Sequence, residues 1–124
     1  MAFAGVSTAR WLIGPLCVLL TAATSCTVCT EQIVDETTSP DRAWTTRTTV
    51  RDCGNRATPT IDIYLQRADS RARLGEIVML VRHNHPVKIT WTGRTQIHIE
   101  CSGCADDVRF ARPSVHGISI AVSR

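Results

Sequence analysis

Cys101-Ser102-Gly103-Cys104 sets two thiols within reach of one another or of one metal ion. A C-x-x-C turn can close as a local disulfide, cycle as a redox couple, or supply half of a tetrahedral zinc site. Zinc would need two more ligands. His98 lies three residues before Cys101, and His83 and His85 alternate on one face. A second route to zinc joins Cys26-Thr27-Val28-Cys29 to Cys101 and Cys104 as a four-cysteine ribbon, provided Cys26 keeps its thiol. Redox chemistry of the thioredoxin kind wants the first cysteine at a helix N-terminus, where the dipole stabilises the thiolate. Here the motif follows an alternating segment and precedes Ala105-Asp106-Asp107, whose carboxylates would raise a thiol pKa. The expectation is a disulfide and no cofactor. Zinc held by Cys101 and Cys104 with one or two of His98, His83 and His85 is the alternative, and a thiol redox protein is the weaker one.

Cys29 and Cys53 bracket 23 residues. In an oxidising compartment such a pair would staple the N-terminal lead to the end of the first strand, adding about 3 kcal/mol in the chain-entropy model. In His83-Asn84-His85-Pro86, Asn and Pro mark a turn, which makes the histidines solvated loop residues more readily than a metal clip. Trp44 and Trp91 read most simply as core or sheet-face anchors, with a sugar-binding platform as the alternative. No nucleophile motif or phosphate loop is present in the sequence. In a strand the adjacent Asp106 and Asp107 would point to opposite faces, a poor acid–base pair. Enzymatic activity is therefore not expected.

The front end decides which of these cysteines are free to pair. Arg10 precedes a thirteen-residue apolar run, 11–23, that ends at Ala23-Thr24-Ser25-Cys26. The run is too short to cross the bilayer as a helix, which takes about 20 residues, and Gly14 and Pro15 interrupt it. It reads as a cleaved signal over 1–25. Ala23-x-Ser25 suits ordinary signal peptidase, whereas Ser25-Cys26 suits the lipoprotein route, although Ala23 stands where leucine is usual. Cysteine parity favours the second. Cys17 leaves with the signal, and acylation of Cys26 leaves four thiols: Cys29, Cys53, Cys101 and Cys104. A multiply acylated Cys26 would hold the protein at a membrane.

The chain has 124 residues, enough for one domain. Behind the signal, thirteen bases stand against eleven acids, a net charge of +2 without a basic block. That balance argues against a nucleic-acid partner. Arginine outnumbers lysine thirteen to one, which reads as high-GC codon usage rather than as selected anion contacts.

A lipidated N-terminus and polar lead are expected over 26–40, closing on the turn Ser39-Pro40-Asp41, and a β domain over 41–124. Period-two segments follow at 44–51, 61–65, 87–91, 96–100 and 117–122, with a denser apolar run at 76–81 that suits a central strand. Thr92-Gly93-Arg94 links two of them as a hairpin. Residues 66–74 read as a loop or a short helix. The expected fold is all-β: a small antiparallel sheet of five or six strands, folded as a sandwich or an open barrel and stapled by disulfides.

Cys29, then Ser39-Pro40-Asp41, then Val50-Arg51-Asp52-Cys53-Gly54, resembles a family of small bacterial envelope lipoproteins of uncharacterised function. Asn84-His85, 86–91 and the closing Gly117-Ile118-Ser119-Ile120 are similar to its second half. Asn55-Arg56-Ala57-Thr58-Pro59 departs from the Thr-Thr-Gly-like stretch of that family, and the Cys101/Cys104 pair is a local addition. The resemblance implies an envelope location and a Cys29–Cys53 bridge, and it supplies no catalytic residues. The expected protein is a non-enzymatic structural or protein-interaction module facing the periplasm or the exterior, with secretion in soluble form as the alternative. Its expected partners are the membrane, through the lipid on Cys26, and an envelope protein.

Overall fold

The computed structural model describes residues 28–54, 57–71 and 75–124. The signal peptide expected over 1–25 and the acylation expected at Cys26 fall on residues outside this description. The described residues form nine strands: β1 (Thr30–Thr38), β2 (Trp44–Asp52), β3 (Thr60–Arg67), β4 (Glu76–Arg82), β5 (Val87–Gly93), β6 (Gln96–Cys101), β7 (Val108–Ala111), β8 (Ser114–Val115) and β9 (Ile118–Ser123). No helix occurs among the described residues. The fold is all-β, with one sheet ordered β1-β2-β3-β4-β7 and a second ordered β5-β6-β9-β8, and it does not close into a barrel.

The two sheets share one core. Alternation along β3 sends Ile61, Ile63 and Leu65 inward, beside Met79 and Val81 of β4. Ile89 of β5, Ile97 and Ile99 of β6, and Ile118 and Ile120 of β9 close the same cluster from the other sheet. The apolar run at 76–81 lies between β3 and β7, as a central strand does.

Three features depart from the sequence reading. Residues 30–38 are not a loose lead: they form β1, paired along its length with β2. Val34 is an extra residue at a bulge, because Ile33 faces Thr49 while Asp35 faces Thr48. Second, β6 and β9 run parallel, a pairing that needs a long crossover. The chain supplies it by leaving the second sheet after Cys101, adding β7 to the first sheet, and returning through β8. Third, the β5–β6 turn is Arg94-Thr95, with Gly93 the last β5 residue opposite Gln96. His116 and Gly117 both take positive φ between the paired Val115 and Ile118, as a two-residue hairpin turn matching the sheet twist requires.

Candidate functional site

Both described cysteine pairs sit at one end of the sandwich. Cys29 precedes β1 and Cys53 follows β2, where Thr30 pairs with Asp52, and their sulfurs lie 2.08 Å apart. Cys101 ends β6 opposite Val87, and a tight turn with Gly103 at positive φ brings Cys104 back to it, sulfur to sulfur at 2.26 Å. Cys101 and Cys104 are both buried in the core cluster. Both pairs are therefore at disulfide distance, and the second is shielded from solvent.

The histidines do not converge on these sulfurs. His98 stands three residues from Cys101 in one strand, so alternation puts the two on opposite faces. Its Nε2 lies 3.1 Å from Ser123 Oγ on the outer surface of the second sheet. There it lines a shallow groove of about 380 Å³ with Thr92, Gln96, Pro113 and Ser119. His83 is exposed with a left-handed backbone, and its ring meets that of His85 edge-on at 6.4 Å. His85 turns to Asp107, Nε2 to Oδ2 at 2.6 Å, and this hydrogen bond holds the Asp107 carboxyl below its ordinary value. Among the described residues no group of three or more histidine, cysteine or acidic side chains could hold a metal ion. The His85–Asp107 contact escaped the sequence reading because its partners are 22 residues apart and come from different loops.

At the opposite end Trp44 is half-buried against the core, as an anchor. The His116 ring stacks on it at 5.6 Å and the Arg67 guanidinium lies 5.3 Å from its centre. His116 and Arg112 both reach Glu76, and the Arg112 hydrogen bond is the larger cause lowering that carboxyl's pKa. Asp41 is lowered likewise, chiefly by the Ser39 hydroxyl, which donates to its Oδ1 at 2.7 Å within the β1–β2 turn. Trp91 is half-buried on the core side of β5.

The feature with most capacity for recognition is β1, which occupies the segment whose composition predicts a polar lead. It is the edge of the five-stranded sheet, and eight of its nine residues are exposed. Ile33 and Val34, adjacent at the bulge, are each 53 % exposed. An edge strand offers unpaired backbone N–H and C=O groups to another chain. The bulge hid this strand, because it breaks the alternation that marks strands in a sequence. Comparison of the chain with family models, curated proteins and solved structures finds no match.

Proposed function

We propose that this protein is exported, anchored in the bacterial envelope by a lipid on Cys26, and acts there as a non-enzymatic protein-interaction module. The observation that carries the interaction reading is β1. It is a nine-residue edge with Ile33 and Val34 facing solvent, held in place by pairing with β2 and by the Cys29–Cys53 contact. An edge already ordered before binding loses less conformational freedom when a partner strand adds to it. Export is supported by the signal-like run at 11–23, and an oxidising compartment is compatible with the two cysteine pairs at bonding distance. The likeness to small envelope lipoproteins points the same way.

The test is photo-crosslinking in the envelope of the producing bacterium, with the reactive side chain placed at Ile33 or, as control, at exposed Thr90 on β5. A discrete protein adduct from position 33 and none from position 90 is the expected result. Equal adducts from both positions, or none from position 33, would contradict the reading.

A further inference from the structure

The topology gathers the described cysteines, both histidines of the 83–86 turn and the C-terminus at one end of the sandwich. Backbone hydrogen bonds extend the strand pairings within each sheet there. The His83 N–H donates to the Pro59 carbonyl at 2.8 Å, the Arg82 N–H to Asp107 at 2.8 Å, and the Ser102 N–H to Pro86 at 3.2 Å. Ser123 pairs with Glu100, so the C-terminus ends beside Cys101. The other end carries the 39–43 turn, the Arg94-Thr95 turn and the His116-Gly117 turn around Trp44.

We propose that the cysteine-bearing end, through the loop tips at Gly54, Thr58, Asn84 and Ser102, rests on the lipid headgroups, so that β1 stands upright and the Trp44 end projects outward. This rests on the reading of Cys26 as the acylated residue.

Only Thr27 and Val28 separate Cys26 from Cys29, and three residue steps reach at most about 11 Å. Cys29 is held to Cys53 at the end of β2, so this tether cannot lengthen by peeling β1 away. From Asp52 to Trp44 the strand runs about 27 Å, well beyond the reach of the tether, so the sandwich cannot invert. Lying on its β1 edge is opposed by charge. That edge carries Glu31, Asp35 and Glu36; Arg51 and Arg47 of β2 pair with Glu31 and Glu36, and Asp35 leaves the edge net negative, which anionic headgroups repel. Val28 adds an apolar contact at the right place, being 78 % exposed immediately before Cys29.

Quenching of tryptophan by a spin-labelled headgroup lipid reads this orientation. Once the signal is removed, Trp44 and Trp91 are the two tryptophans of the chain. Trp44 starts β2 at the outer end, and Trp91 sits two residues from the Arg94-Thr95 side of β5. The protein extracted from membranes and placed in vesicles bearing that lipid should keep its native emission, whereas Asn84→Trp and Thr58→Trp variants should lose most of their added emission. Equal quenching of native and added tryptophans, or quenching of the native pair alone, would overturn the orientation. Mass analysis of the same material reports acylation separately. If Cys26 carries no lipid, coupling its free thiol to a maleimide phospholipid and repeating the quenching still decides the orientation, while the anchoring proposal alone fails.

Discussion

Arg51 places its Nη2 3.0 Å from Oδ2 of Asp62, a carboxylate with no solvent exposure on the outer face of the five-stranded sheet. The same guanidinium reaches Glu31 of β1 at 2.9 Å, and the Tyr64 hydroxyl donates to Asp62 at 3.2 Å. One polar chain thus crosses β1, β2 and β3. Asp62 raises the Arg51 pKa, and burial, reinforced by the Asp62 charge, raises that of Tyr64.

Arg51→Ala leaves a buried carboxylate without its cation. Removing one partner of a fully buried pair costs about 3–5 kcal/mol. Arg51 is 40 % exposed, so the expected loss is smaller, about 2 kcal/mol after allowance for screening. Urea unfolding reads it as a lowered midpoint. Tyr64→Phe should lose about 1 kcal/mol, and Arg51→Lys should recover only part of the stability, since an ammonium cannot fork to Glu31 and Asp62 together. An Arg51→Ala midpoint equal to wild type would remove the network from the account.

The His85–Asp107 contact makes stability depend on acid. The Asp107 carboxyl is depressed from its ordinary 3.8 by the His85 hydrogen bond. The folded form therefore binds this proton less readily than the unfolded chain. The stabilisation is complete above the ordinary value and is lost as the pH falls through the lower native one. Carbon-detected NMR titration should place Asp107 below 3.8 in wild type and return it upward in His85→Ala. Asp107→Asn should flatten the acid limb of the stability curve. An unchanged titration in His85→Ala would contradict the assignment.

The Cys29–Cys53 pair closes a loop containing the β1–β2 hairpin, so its removal should act on β1 first. The double substitution Cys29→Ala and Cys53→Ala should cost about 3 kcal/mol in the chain-entropy model. Hydrogen exchange should show early loss of protection over β1, with β3 and β4 protected until global unfolding. Uniform loss across both sheets would show that the bridge stabilises the whole domain rather than its edge.

Six strands were legible because each needs a core face: Ile61, Ile63 and Leu65 alternate because every second side chain points into the shared core. β1 has no such need. Its residues are exposed on both faces and its apolar pair is adjacent at a bulge, so composition alone reads it as a lead. β7 and β8, of four and two residues, are too short for a periodic signal. The parallel β6–β9 pairing is a decision between distant segments that local pattern does not encode. The cysteine pairs were legible from spacing. The grouping of His98 with Cys101 was not sustained, and the odd three-residue spacing within one strand already contained the reason. Asp62 gave no sign of burial, since its neighbours in sequence describe one face of β3 and its partner Arg51 lies on β2.

Gly75 tests the close approach of the β3 and β4 ends. A Cβ at this position would meet the Leu65 carbonyl oxygen at 2.2 Å and the Gln66 Cβ at 2.6 Å. Backbone cannot yield as a flexible side chain does, so Gly75→Ala should destabilise by about 1–3 kcal/mol. Gly117→Ala meets no atom within 4 Å, and its cost comes instead from positive φ at 79°. Thermal unfolding should rank Gly75→Ala as the more damaging of the two, and the reverse order would contradict the tight packing at the start of β4.

The central claim is that acylation at Cys26 and bridging of the remaining cysteines define the mature protein. Intact mass of the protein taken from bacterial membranes, alkylated with and without prior reduction, tests both parts in one measurement. The account predicts an N-terminus at Cys26 bearing acyl mass, no alkylation before reduction, and alkylation of Cys29, Cys53, Cys101 and Cys104 after it. A mature N-terminus at any other residue, or a thiol that alkylates without reduction, would contradict it.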